Sequence, residues 1–410
     1  MPELFHVVPP QEARRLFCAH LAPLQAEERV NTEDALGRVT RRAILAPADL
    51  PAFPRSTMDG YAVRAADTYG ASEGVPAYLT VIGEVPMGRA PSFAVSRGQA
   101  ALVHTGGMLP GGADAVVMVE NTQQADAATI EVLRPVGPGE NVIQVGDDVK
   151  QGEPLATAGR WLRPQDLGGL MAAGITRLDV AVKPTVALIA TGDELVPPDK
   201  EVSPGQVRDI NTTTISALVR RAGGVPLPLG IIPDDRKALA EAAREGLRKA
   251  DMLVVSAGSS VSTRDLTAEV IASLGKPGIL VHGVAARPGK PTILAVAGGK
   301  PVVGLPGNPV SAMIMFDLLV TPALYLLAGC TEPPSRRTVE ASLTRNIAST
   351  TGREDHVPVK LEQRDGGWWA TPVFGESNLI TTLMKSDGTA LIPLDKHGLS
   401  EGQQVTVTLF

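Results

Sequence analysis

Residues 184–195 read PTVALIATGDEL, an unbroken apolar run that ends abruptly in Thr191-Gly192-Asp193-Glu194. A continuous Val/Leu/Ile/Ala run without polar alternation fits a strand buried on both faces, the hallmark of a parallel sheet covered by helices. The chain beyond it keeps this rhythm. Val207–Arg221 is predicted as a helix closed by Gly223-Gly224, Val225–Leu229 as a strand, and Asp235–Lys249 as an Ala-rich amphipathic helix. Met252–Ser256 follows as a strand and Leu266–Leu274 as a helix. Ile279–Val281, Thr292–Val296 and Pro301–Leu305 are further strands, and a last long helix starts at Asn308. Strand–helix alternation implies a three-layer α/β domain with a mostly parallel sheet. Ligands of such sheets bind beyond the carboxyl ends of the strands.

Five polar loops fall at those ends. Two carboxylates, Asp193 and Glu194, follow the first strand, a costly place for charge unless it serves a ligand or meets solvent. In Gly230–Asp235 (GIIPDD), Asp235 is placed as a helix N-cap, which leaves Asp234 to bind. Ser256–Asp265 (SAGSSVSTRD) supplies small residues and hydroxyls, Ser260 among them, that allow close backbone approach to phosphate. Asp265 near the next helix start is a cap or a ligand. Asp234 and Asp265, taken as lying on neighbouring strand ends, are candidate ligands for a hard cation such as Mg²⁺. Arg287-Pro288-Gly289-Lys290-Pro291 holds two cations in a short stiff loop, which suits an oxyanion better than a chance exposed pair. In Gly304–Ser311 (GLPGNPVS), Asn308 is placed as N-cap with Pro309 at the first helical position, so free N–H groups face an anion.

Composition bounds the remaining possibilities. The 410 residues predict several domains, with 44% hydrophobic and 20% charged residues, ordinary for a globular chain. A net charge of −6 argues against nucleic-acid binding. Cys18 and Cys330 sit in no motif, so neither a disulfide framework nor a structural zinc site is expected, and a reducing cytoplasm fits. Residues 1–10 lack the basic start and apolar core of a signal peptide. Ser311–Gly329, the most apolar run, contains Asp317 and Pro322 and is predicted as a buried helix, with no membrane partner. There is no GxGxxG and no HExxH, and GVAARPGK (283–290) misses the phosphate-loop spacing by one residue and ends in Pro291.

Elsewhere the pattern is β-like. Residues 9–22 predict a helix. Tyr78–Ile82, Gln99–His104, Ala115–Val119 and Thr129–Leu133 predict an inserted β-rich domain. Pro164–Ala173 is a helix expected to pack with the N-terminal one. Val339–Leu343, Val357–Leu361, Trp368–Val373, Ala390–Pro393 and Gln404–Leu409 predict a small terminal β domain, barrel-like in character. The expected division is 1–26 with 138–182 (domain I, a small helical and linker part), 27–137 (domain II), 183–329 (domain III) and 330–410 (domain IV).

The ordered set MDGYAVR (58–64), HTGGMLPGGADAVVMVE (104–120), ATGDEL (190–195), GIIPDD (230–235), SAGSSVSTRD (256–265), RPGKP (287–291) and GLPGNPVSA (304–312) resembles the molybdopterin molybdenumtransferases of the MoeA type, relatives of the gephyrin E domain. The resemblance implies a molybdopterin-binding α/β domain within an elongated homodimer. It also implies insertion of molybdate into adenylylated molybdopterin with release of AMP, aided by Mg²⁺. Asp59 and Thr105 are then expected on the substrate cleft, beside Asp193 and Ser260. Glu194, Asp234 and Asp265 form its acidic catalytic part, the last two as metal ligands. Arg287, Lys290, Pro291, Asn308 and Ser311 face molybdate or phosphate, joined by Arg353 and Ser377 of the terminal domain. Implied partners are a molybdopterin adenylyltransferase and molybdoenzyme chaperones. The rival readings are a molybdopterin adenylyltransferase activity and a non-catalytic scaffold. Tungstate, with the shape and charge of molybdate, is a rival substrate. This sequence departs from the common family pattern at Ala257 and Ser262, where glycine is frequent, and at Gly283, where some members carry lysine.

Overall fold

The computed structural model describes residues 7–257, 261–364 and 366–410, without the side chains of residues 261–264. The chain forms two compact units: Met1–Arg42, Ala158–Pro164 and Arg177–Phe410 make the first, Ala43–Thr157 and Gln165–Thr176 the second.

The first unit is built on a six-stranded sheet in the order Val225–Ile232, Thr185–Thr191, Met252–Ala257, Lys300–Pro306, Ile293–Ala297, Pro277–His282. The first four strands pair in parallel, and Ile293–Ala297 runs against its two neighbours. Every strand but that one therefore ends at the same edge. Period-two alternation sends Val186 and Leu188 into one core with the helices Asn211–Arg221 and Pro309–Leu327, and Ala187 and Ile189 into the other with Arg236–Lys249 and Val261–Ser273. The expected three-layer α/β domain is thus present.

Three expectations change. The helix predicted over Val207–Arg221 starts at Asn211: Asp209 Oδ1 accepts from the Thr212 amide at 3.1 Å, and Val207–Arg208 instead pairs in parallel with Leu195–Val196. The helix predicted from Leu266 starts at Val261, which puts Asp265 inside it and rules out a cap role. The N-terminal helix, Pro10–Cys18, buries Ala13 and Phe17 in the α/β core, whereas its expected partner Pro164–Ala172 lies mainly in the second unit.

The apolar run becomes one helix, Pro309–Leu327, widened to a π turn over Phe316–Val320. Pro322 has no N–H to return to Leu318, which accounts for the widening. Its most apolar window has a mean hydropathy of 1.9 and is 61% buried, as in a core helix. Its one acid, Asp317, takes Arg221 at 2.6 Å and Arg336 at 3.4 Å. Cys18 and Cys330 are free thiols, and burial pushes both above the usual range, away from reactive thiolate.

Five terminal strands close into a barrel: Glu354–Arg364, Gly367–Pro372, Thr338–Leu343, Gln404–Leu409 and Gly388–Ile392, the last returning to the first. Leu343, Val359, Ala370, Ile392 and Val407 fill it. Ala286–Arg287 of the α/β domain adds in parallel to Glu354–Asp355 of the barrel.

The second unit carries a six-stranded, mostly antiparallel sheet in the order Ala115–Met118, Gly60–Val63, Gln99–Val103, Ala77–Glu84, Thr129–Val132, Thr122–Gln124. Both faces of this sheet are buried, Val63 and Val117 on one and Ala62 and Val116 on the other. Gly60 sits where a Cβ would lie 2.0 Å from the Val117 carbonyl oxygen, which explains the glycine of MDGYAVR.

Phe17, fully buried at the seam between the N-terminal helix and the α/β core, provides the test of that packing. Phe17→Ala is expected to destabilise the first unit by about 3–5 kcal/mol, read from denaturant midpoints. An unchanged midpoint would show that the helix docks without contributing.

Candidate active site

The parallel strands deliver their polar loops to one edge, and side chains there interlock. At the end of Thr185–Thr191, the apolar run stops at a fully buried threonine. Its hydroxyl donates to Asp234 Oδ1 at 2.8 Å, and the Asp234 amide donates to Asp193 Oδ1 at 3.1 Å. The first two loops are therefore tied together through two acids. Asp235 caps its helix as expected, accepting from the Ala238 amide at 2.8 Å.

A cavity of about 380 Å³ opens beside this pair. Its wall includes Thr191, Glu194, Ser256 and Asn308, together with Asn211 at the start of its helix and Asn378 of the terminal domain. The Asn211 amide donates to Ser256 Oγ and to the Gly307 carbonyl, both at 2.8 Å. One side chain thus cross-links three loops. Arg208 and Asp209 complete this wall. Arg208, Asp209 and Asn211 stand outside the expected set, because the sequence pattern predicts helix over the whole of Val207–Arg221. The buried polar side chains of Asp209 and Asn211 at a helix start were the available signal.

Asn308 precedes the helix with Pro309 in its first turn, as expected, but its side chain makes no cap bond. It donates to Ser377 Oγ at 2.7 Å, while the Val310 amide donates to the Ser377 carbonyl at 3.1 Å. The terminal domain therefore reaches the α/β edge within one chain. Ser311 is buried in that helix.

The two arginines of the expected oxyanion set also meet. Arg353 donates to the Asp355 carboxylate from Nε at 2.8 Å and Nη2 at 3.4 Å, and Arg287 Nη1 lies 3.9 Å from the same group. Asp355, absent from the expected set, is 4% exposed. Lys290 is exposed and Pro291 half-buried at the end of this loop. The loop is folded back by the Val284 amide donating to the Lys290 carbonyl and Thr292 Oγ1 donating to the Gly289 carbonyl. Gly289, at φ +116°, packs so close to Met315 that a Cβ would lie 2.3 Å from its Cγ.

Asp265 is exposed on the helix Val261–Ser273. The expectation that it shares neighbouring strand ends with Asp234 does not hold. Thr185–Thr191 runs between their two strands, a separation of about 9–10 Å at ordinary strand spacing. The two strands follow each other in sequence, but sheet order is set by pairing. Among the described residues, no group of three or more His, Cys, Asp or Glu gathers as a metal site. Ser260 lies outside the described residues.

In the second unit, Asp59 Oδ1 accepts from the Thr105 amide at 2.8 Å and from its hydroxyl at 3.3 Å. His104 contacts Glu84 at 2.9 Å and faces Asp59 at 3.8 Å. The MDGYAVR and HTGG motifs thus meet at their polar residues.

Fold and cavity together define an open α/β protein, a class whose ligands bind beyond the carboxyl ends of the strands. Comparison with known proteins gives the family. Residues 8–174 match the MoeA N-terminal region (domain I and II), residues 187–325 the family described as "Probable molybdopterin binding domain", and residues 340–410 the MoeA C-terminal region (domain IV). A molybdopterin molybdenumtransferase of Bacillus subtilis is 33% identical over 408 residues, covering 98% of this chain and 94% of its own. One from Nostoc is 32% identical, covering 93% and 88%. The crystal structure of a molybdopterin biosynthesis MoeA protein from Pyrococcus horikoshii OT3 superposes with a TM-score of 0.86 at 33% identity, over 98% of this chain and 100% of that one. The chain belongs to the MoeA family of molybdopterin molybdenumtransferases.

Thr191→Val keeps the shape of the strand end but removes the hydroxyl that holds Asp234. It is expected to destabilise the first unit by about 1–3 kcal/mol, seen as a lower unfolding midpoint. A midpoint equal to that of the parent would mean the bond contributes nothing.

Proposed function

We propose that this chain inserts molybdate into adenylylated molybdopterin, releasing AMP and giving molybdenum cofactor. The observation that carries the reading is the polar cavity at the parallel-strand edge of a chain that matches this family along its whole length. Its wall offers hydroxyl, carboxamide and carboxylate groups, a set that suits a pterin nucleotide with several donors and acceptors.

In this reading Glu194, Asn308 and Ser377 position the pterin nucleotide. Arg287, Lys290, Ser311 and Arg353 receive the tetrahedral dianion, a role suited to guanidinium, ammonium and hydroxyl donors. Water attacks the adenylyl phosphorus, the phosphoanhydride P–O bond breaks, and AMP leaves with the water's oxygen while the pterin keeps its own phosphate. Molybdate forms two Mo–S bonds to the pterin dithiol, and one of its oxygens leaves as water with the two thiol protons. The same reading assigns Asp193, Glu194, Asp234 and Asp265 to the phosphates.

Mg²⁺ fits these residues, since it keeps most of its waters and takes only one or two carboxylates alongside substrate phosphates. Asp234, with Asp193 adjoining it, would hold it, and Asp265, whose strand is not the neighbour of Asp234's, would meet only its waters. When bound it neutralises phosphate charge. The same reading makes the protein a cytoplasmic homodimer that takes substrate from a molybdopterin adenylyltransferase and hands product to molybdoenzyme chaperones. The four-domain division belongs to it as well.

The test is turnover of adenylylated molybdopterin with molybdate or tungstate, following AMP. Asp234→Asn and Asp265→Asn are each expected to lose at least 100-fold in AMP release with unfolding midpoints intact, the scale of a lost charge-stabilising group. Full turnover by Asp265→Asn removes that residue from the mechanism. Chelation is expected to stop AMP release and added Mg²⁺ to restore it, and undiminished release under chelation would remove the metal.

A further inference from the structure

The two arginines that this reading assigns to the oxyanion come from different domains. Arg287 sits on a two-residue strand of the α/β domain and Arg353 immediately before a barrel strand. What joins them is one carboxylate that neither the motifs nor the family resemblance singled out. Asp355 is 4% exposed, and its two oxygens face both guanidiniums. Its backbone is fixed as well: Arg287 pairs with Asp355 in the parallel bridge between the domains, and the Glu354 amide donates to the Ala285 carbonyl at 2.9 Å.

We propose that Asp355 is a positioning residue for oxyanion binding, which holds Arg353 rigidly and draws Arg287 beside it to make a two-guanidinium seat. The inference rests on the molybdate-insertion reading above. The two contacts differ in kind. Arg353 is engaged through two nitrogens, which fixes the plane of its guanidinium. Arg287 stands at 3.9 Å, beyond hydrogen-bond reach, and its side chain is 65% exposed. Asp355 therefore orients one arginine and attracts the other without consuming its donors. Two guanidiniums against one carboxylate leave a net positive charge for an incoming dianion. A buried carboxylate is tolerated only where cations serve it, so Asp355 cannot lose its arginines cheaply, nor they their orientation.

Asp355→Asn preserves the shape and removes the charge. In the full-length protein the KM for molybdate is expected to rise about ten-fold, with kcat at saturation and the KM for adenylylated molybdopterin within two-fold of the parent. A merely structural defect would move both substrates together or lower kcat. Arg353→Gln with Asp355→Asn is expected to lose much less molybdate affinity than the two single losses combined, because the aspartate acts mainly through that arginine. An unchanged molybdate KM in folded Asp355→Asn, or additive losses in the double variant, overturns the proposal. If Asp355→Asn does not fold, Asp355→Ser, which also removes the charge, takes its place with the same expectation, and failure of both to fold makes the carboxylate structural and ends the positioning role. Molybdate binding to the parent protein, followed by calorimetry without the pterin nucleotide, separates the two claims. A parent that binds molybdate through Asp355 but releases no AMP sinks the insertion reading alone. A parent that turns over normally beside an unaffected Asp355→Asn sinks only this one.

Discussion

The parallel pairing of Thr185–Thr191 with Val225–Ile232 on one side and Met252–Ala257 on the other is the constraint on which the site depends. A strand paired on both sides and packed on both faces can carry no charge along its length, and Val186 to Ala190 carry none. The chain regains polar residues only where the strand ends. Parallel neighbours end at the same edge, so the polar loops of successive units accumulate there without any attraction between them. Thr191 marks the limit: it is still fully buried, and its hydroxyl is satisfied by an acid from the adjacent loop. The hydrogen bond that the buried position requires is also what places Asp234.

The same logic governs the buried acids of the first unit. Asp317 lies within the most apolar helix and is served by Arg221 and Arg336; Asp355 lies at the barrel's mouth and is served by Arg353 and Arg287. Each carboxylate joins segments far apart in sequence, and each would be strongly unfavourable without its cations. The difference is exposure on the cation side. Asp317's arginines are 49% and 41% exposed, with Arg336 also donating to the Asp317 carbonyl, whereas Arg287 is 65% exposed.

Much of the fold was legible because its signals are local. The buried strand 185–191, the Asp235 cap, the Pro309 helix start and the short barrel strands each follow from a few consecutive residues, and the structure has them. What was not legible depends on pairing. Chain order suggested that the strands preceding Asp234 and Asp265 are neighbours, yet Thr185–Thr191 lies between them. Asn308 has the residue type and place of a cap, but Ser377, 69 positions away, takes its side chain. Asn211 reads as an ordinary residue of a helix, and only the meeting of three loops makes it a cross-link. For Asp59 and Thr105, two local motifs recognised separately proved to be bonded to each other.

The departures from the family pattern also acquire physical content. Ala257 is a buried strand residue in register with Thr191 and Pro306, and it also lines the cavity, so the added carbon sits at the boundary of sheet and cavity. Gly283 is different. It takes φ +111°, a region that favours glycine, and its backbone is committed on both sides: its amide donates to the Thr292 carbonyl and its carbonyl accepts from the Val8 amide. A lysine at 283, as in some relatives, would need another backbone there and would disturb the bridge that anchors the N-terminal segment. This chain therefore forgoes that cation, and the positive charge of the loop rests on Arg287 and Lys290. In the proposed reading fewer cations gather around the dianion, so the orientation of each matters more, and the buried Asp355 fixes that of Arg353.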